Sequence, residues 1–149
     1  MGLRENLRGK RVYVDTNIFI YLLEGNESLS VEIAGMRAAI LSNECILISS
    51  DLIYTEILPP LVRSENPEAI RQALRFLGEH AAFDLRSVTK EICIQAGFLR
   101  GQTGMKTPDA IHVASAIAAG CDAFLTNDDR IRLPETMQRI LFSNLPANE

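Results

Sequence analysis

Residues 11–25 read RVYVDTNIFIYLLEG. A short β-rich run, 11–14, stops at a carboxylate, Asp15, and Thr16 and Asn17 precede a second apolar run that Gly25 and Asn26 end. The first run predicts a buried strand, and residues 16–24 predict a helix capped by Asp15 or Thr16. A strand that feeds directly into a helix is the opening of an α/β fold, and it leaves Asp15 at the carboxyl end of the strand. Asp15 has two readings. As a cap it would satisfy the start of the helix; as a ligand it would need other acidic residues to converge on it, with Thr16 or Asn17 serving the helix start instead.

Working outward, Leu29, Ile33, Met36, Ala39 and Ile40 recur at helical spacing over 28–41. CILIS at 45–49 predicts a second buried strand, and Ser49 or Ser50 caps a helix expected to end near Pro59 and Pro60, since proline lacks an N–H donor. Residues 67–79 predict a helix with Pro67 in its first turn. AFDLRSV at 82–88 alternates and predicts a third strand. Two further helices, 89–100 and 108–119, flank the loop GQTGMK, with Thr107 as the second helix's cap, Pro108 in its first turn and Gly120 at its close. DAFLT at 122–126 and RILFS at 139–143 complete five strands. Strands alternating with helices predict a three-layer α/β/α sandwich with a mainly parallel five-stranded sheet, whose ligand crevice lies beyond the strands' carboxyl ends.

The 149 residues, 47% apolar and 23% charged, suit one domain, 1–149, with a core at about 11–143 and a basic extension, 1–10, expected to be a solvated end. No apolar run approaches the roughly 20 residues of a membrane span, and the polar start MGLRENLRGK lacks the apolar core of a signal peptide, so a cytoplasmic protein without a membrane partner is expected. Cys45, Cys93 and Cys121 are widely spaced and are read as reduced, packed thiols; with only His80 and His112 beside them, a zinc site is not expected. A net charge of -4 argues against a polycation that coats nucleic acid.

Four acidic residues stand out by position. Asp15 follows the first strand and Asp128 the fourth, Asp109 opens the helix TPDAIHVA, and Glu56 shares a helical face with Leu52, Ile53 and Pro60. Each has an ordinary reading: helix cap, dipole partner, turn, or, for Glu56, a lysine or arginine that reaches it or a water network. A shared cation accounts for all four. Two carboxylates about 5 Å apart repel by roughly 3 kcal/mol at an effective dielectric of about 20, so such a cluster calls for a counter-ion. Carboxylate oxygens suit magnesium or manganese, and the chemistry that follows is attack of water on a phosphodiester. His112, three residues after Asp109, is read as a packed, hydrogen-bonded histidine. Tyr13 and Tyr54 are read as core, and Lys106 and Arg100 as either phosphate contacts or solvated charges.

The segments VDTNIFIYLL, SSDLIYTEIL and KTPDAIHVASAIAAGCDAFLTNDDRI, in this order, resemble the PIN-domain nucleases, most of all the VapC-type toxins of bacterial toxin–antitoxin pairs. The resemblance covers residues 11–143. It implies a ribonuclease dependent on magnesium, with manganese able to substitute, in which Asp15, Glu56, Asp109 and Asp128 hold the metal and Asn17 and Thr126 support them. Asp129 is a second choice beside Asp128. The resemblance also implies an RNA substrate, a homodimer and a small antitoxin that masks the acidic site. Two alternatives stand beside it: a catalytically silent RNA- or protein-binding module of the same fold, and a housekeeping RNA-processing nuclease. A phosphotransferase is disfavoured because DTN lacks the second aspartate of a DxD motif.

Overall fold

A computed structural model describes residues 2–79 and 83–143; His80 and Ala82, the expected start of the third strand, lie outside them. Five strands, β1 (Arg11–Val14), β2 (Ile46–Ser50), β3 (Phe83–Arg86), β4 (Ala123–Thr126) and β5 (Gln138–Leu141), form one sheet in the order β3-β2-β1-β4-β5. Every pairing is parallel.

The three central strands are buried on both faces, and their alternation assigns side chains to two cores. Val12, Val14, Leu47 and Leu125 face one core, closed by α1 (Leu3–Leu7), α2 (Thr16–Glu24), α3 (Ser30–Ser42), α4 (Leu52–Arg63) and α5 (Pro67–Glu79). Tyr13, Ile48 and Phe124 face the other, closed by α6 (Lys90–Thr103) and α7 (Thr107–Ala118). The Tyr13 and Phe124 rings stack at 5.1 Å beneath α7. The small residues Ala110, Ala114 and Ala116 are almost wholly buried, which lets α7 lie close to the sheet and to α6. The expected three-layer sandwich is thus present, with a wholly parallel sheet.

Several boundaries differ from the sequence reading, each for a physical reason. Helix α4 does not stop at its prolines: Pro59 and Pro60 lie inside it and it continues to Arg63. The missing donors leave the carbonyls of Thr55 and Glu56 without their helical partners, and packing of Ile53, Ile57 and Leu61 into the first core offsets that loss. Helix α6 passes Arg100 and ends at Gly104, whose φ of 75° only glycine adopts without strain. Lys106, not Thr107, occupies the cap position of α7, and no side chain caps that helix.

The basic extension is not a solvated end. Leu7 is fully buried, Leu3 packs against the first core, and Arg4 and Arg8 both bond Glu44, at 3.1 Å in each ion pair. The Gly9 amide also donates to the Glu44 carbonyl at 2.7 Å. An apolar Leu3/Leu7 face four residues apart explains this docking, and the charges around it obscured the signal in the sequence. Of the three thiols only Cys121 is buried; Cys45 is half-buried and Cys93 exposed, which corrects the expectation that all are packed. Among the described residues, no helix is long and apolar enough to cross a membrane.

Candidate active site

The order β3-β2-β1-β4-β5 reverses direction between β1 and β4, so the loops leaving those two strands diverge and open a crevice at their carboxyl ends. The Asp15 amide donates to the Leu125 carbonyl at 2.9 Å and holds the two strand ends together. Asp15, Thr126 and Asp128 sit at this point, and α7 brings Asp109 to it.

Asp15 is 8% exposed, and both of its oxygens are engaged. Oδ1 accepts from the Thr16 amide at 2.8 Å and Oδ2 from the Thr126 hydroxyl at 2.7 Å. Asp15 is therefore itself the cap of α2, which corrects the reading that Thr16 or Asn17 takes that task. Thr126 also accepts from the Asp128 amide at 3.0 Å, so one buried hydroxyl links the ends of β1 and β4 to the loop beyond. Asn17 is exposed, and its side chain makes no hydrogen bond among the described residues.

Glu56 does find partners in the protein. Its Oε1 accepts from the Thr16 hydroxyl at 2.9 Å and meets His112 Nε2 at 2.5 Å. Burial acts to raise the Glu56 carboxyl, but the hydrogen bond and charge of His112, with Thr16, outweigh it and hold the carboxyl below the ordinary value. His112 is 2% exposed and meets the Tyr13 hydroxyl through Nδ1 at 2.6 Å. It is thus packed and hydrogen-bonded, as its apolar flanks imply, yet it touches a candidate site residue. Tyr13 belongs to the core as expected, with a polar end that the sequence does not reveal.

Asp128 is paired with Arg130, whose backbone amide and side-chain Nε both donate to Oδ1, at 2.9 and 3.1 Å. Burial acts to raise this carboxyl too, and the Arg130 bonds and charge, with Arg139, bring it below the ordinary value. Asp129 is exposed. Asp109 is the exception: among the described residues no donor reaches its carboxylate. Burial raises its pKa, the charges of Asp15, Asp128 and Glu56 raise it further, and His112 only partly opposes them.

Arg100 is spent on the fold, donating to the Met105 carbonyl at 3.2 Å, while Lys106 is exposed three residues before Asp109. Neither bonds a carboxylate among the described residues. At the acidic edge it is Arg130 that pairs with a carboxylate, that of Asp128.

A wholly parallel α/β/α sandwich with acidic residues near its topological switch point places them where proteins of this architecture bind their ligands. The chain belongs to the PIN domain family, whose family model matches residues 12–135. It is similar in fold to a toxin–antitoxin complex from Klebsiella pneumoniae, at 21% identity and a TM-score of 0.60, covering 85% of this chain and 94% of that one. VapBC2 from Rickettsia felis, crystallised with a DNA fragment from its promoter, is 15% identical with a TM-score of 0.66, covering 87% and 97%. The sarcin-ricin loop cleaving toxin VapC20 of Mycobacterium tuberculosis is 18% identical with a TM-score of 0.57, covering 76% and 86%. No curated protein matches the chain.

The acidic edge fits a hard divalent cation in its chemistry. Its donors are carboxylate oxygens, and the Asp109 carboxyl, raised first by burial and then by the charges of Asp15, Asp128 and Glu56 against the opposing His112, has no hydrogen-bond donor among the described residues. The cage is open rather than closed: among the described residues no three acidic, histidine or cysteine side chains are gathered closely enough to hold an ion as they stand.

Proposed function

We propose that this protein is a metal-dependent endoribonuclease, the toxin of a toxin–antitoxin pair. The observation that carries the reading is the crowding of Asp109 by Asp15, Asp128 and Glu56 at the switch point of a PIN-domain sheet. Magnesium, or manganese in its place, would be held by these four carboxylates, and loading would draw them closer than they stand. A bound ion supplies charge neutralisation at the phosphodiester and a more acidic attacking water.

The chain's own residues prepare that chemistry. Asp15 is fixed by Thr126 and by the start of α2, so its carboxylate is ordered before any ligand arrives. Glu56 is anchored through one oxygen, leaving the other without a donor among the described residues. Lys106, exposed beside the α7 start, would meet the RNA backbone, Arg100 would serve by holding the Met105 carbonyl in the loop before it, and Asn17 would face the substrate from α2. Similarity to toxin–antitoxin complexes supports a small antitoxin partner, and a homodimer acting in the cytoplasm completes the reading.

The test is cleavage of a structured RNA by purified protein with magnesium or manganese. Activity is expected to vanish with chelator and with Asp15→Asn or Asp109→Asn; undiminished cleavage in either case refutes the mechanism. A second reading, a silent RNA- or protein-binding module, draws on the pairing of Glu56 with His112 and of Asp128 with Arg130, which satisfies two of the four acids without metal. RNA binding without cleavage, at saturating manganese, would favour it. Expression that leaves growth unaffected while the purified enzyme cleaves RNA would favour a housekeeping nuclease over a toxin.

A further inference from the structure

His112 forms the middle of a buried polar line that crosses from the second core to the acidic edge. Tyr13, fully buried on β1, meets its Nδ1 at 2.6 Å, and its Nε2 meets Glu56 Oε1 at 2.5 Å. A carboxylate can only accept, so Nε2 carries a hydrogen and donates to Glu56, while Nδ1 shares the second hydrogen bond with the Tyr13 hydroxyl. Burial also keeps Tyr13 protonated and able to donate. The Thr16 hydroxyl donates to the same Glu56 oxygen at 2.9 Å and lies 3.2 Å from Nε2. Two donors from two elements therefore converge on Oε1. No donor among the described residues meets Oε2.

We infer that His112 is a positioning residue for Glu56: held on its far side by Tyr13, it pins Oε1 and leaves Oε2 as the oxygen available to a divalent cation. This rests on the reading that Glu56 helps to hold such an ion. The logic is that of an outer partner orienting a ligand: a glutamate on α4 has three rotatable bonds, and a rigid buried donor removes the entropy of fixing them when the ion binds. A histidine that merely filled the core would require a polar contact, but not one directed at an acidic edge.

The experiment measures manganese affinity in the absence of RNA, from the EPR signal of unbound Mn2+, for wild type, His112→Asn, His112→Gln and Asp109→Asn. Circular dichroism and thermal melts verify that each is folded. The glutamine amide can reach the position of Nε2, whereas the asparagine amide reaches only that of Nδ1. His112→Asn is expected to weaken manganese binding by about 10- to 100-fold, and His112→Gln to recover most of that loss. A purely structural histidine predicts equal manganese affinity in both folded variants and in wild type, and that result overturns the inference. If wild type binds manganese and Asp109→Asn abolishes it while His112→Asn does not, the positioning role alone falls. If wild type binds no manganese, the cation-site reading falls and takes this inference with it.

Discussion

The hydroxyl of Thr126, at the end of β4, donates at 2.7 Å to the Asp15 carboxylate at the end of β1, and neither side chain has appreciable contact with solvent. Thr126 also accepts from the Asp128 amide, so a single buried oxygen organises both strand ends. Thr126→Val retains the shape and removes both bonds, leaving Asp15 Oδ2 without a donor in a buried setting. A loss of about 1–3 kcal/mol in urea unfolding is expected. Thr126→Ser, which can restore the bonds, should lose less.

Asp109 offers a test of the crowded edge that needs no substrate. Its carboxyl is raised by burial and by Asp15 and Asp128, so the folded chain holds that proton more tightly than the unfolded chain. Stability from this group is therefore lost as pH rises from the ordinary carboxylate range through the raised value. Asp109→Asn should melt higher than wild type at neutral pH without metal, by about 1–3 °C given the solvent screening of a partly exposed group. The gain should vanish in acid, where Asp109 is protonated. Manganese at about 100 times its dissociation constant should stabilise wild type by about 2.7 kcal/mol and fail to stabilise the variant.

The two neighbouring aspartates after β4 should behave differently. Asp128 lies partly buried against Arg130 and is bridged to Thr126 through its amide, whereas Asp129 is exposed. Asp128→Asn is expected to reduce RNA cleavage by about 100-fold or more, the scale of losing an electrostatic group at a reacting centre. Asp129→Asn should leave most of the rate, as measured by single-turnover cleavage.

Residues 2–8 should act through stability rather than through RNA. Leu7 is fully buried, so Leu7→Ala should cost about 2–4 kcal/mol in denaturant unfolding. Glu44→Gln, which loosens the exposed Arg4 and Arg8 pairs, should be much milder, and its effect should shrink with salt. Weaker RNA binding by a folded Arg4→Gln, Arg8→Gln variant would contradict this division.

The prolines of α4 supply a prediction of opposite sign. Pro60 is exposed and lies within the helix, where it withholds the donor that the Glu56 carbonyl would otherwise receive. Pro60→Ala restores that bond and the helical propensity of the position, and should raise the midpoint of urea unfolding.

The sequence by itself determined the order of strands and helices, because apolar period and turn residues are local signals. It also marked Asp15, Asp109 and Asp128, since a strand end and a helix start state their own place in a parallel sheet. It did not reveal that α4 runs through Pro59 and Pro60 or that 3–7 is a docked helix. Both depend on burial against distant surfaces, and packing energy there exceeds the local preference. Nor could RVYVDTNIFIYLLEG say whether Asp15 caps a helix or faces the acidic edge. Only the tertiary structure shows that it caps α2 through Oδ1 while Oδ2 meets Thr126, 111 residues away along the chain. The same holds for Glu56, whose unexplained place on an apolar stripe is answered by Thr16 and His112 from two other helices. Partners of a buried charge are chosen in three dimensions, where each donor is satisfied once, and no spacing along the chain encodes that choice.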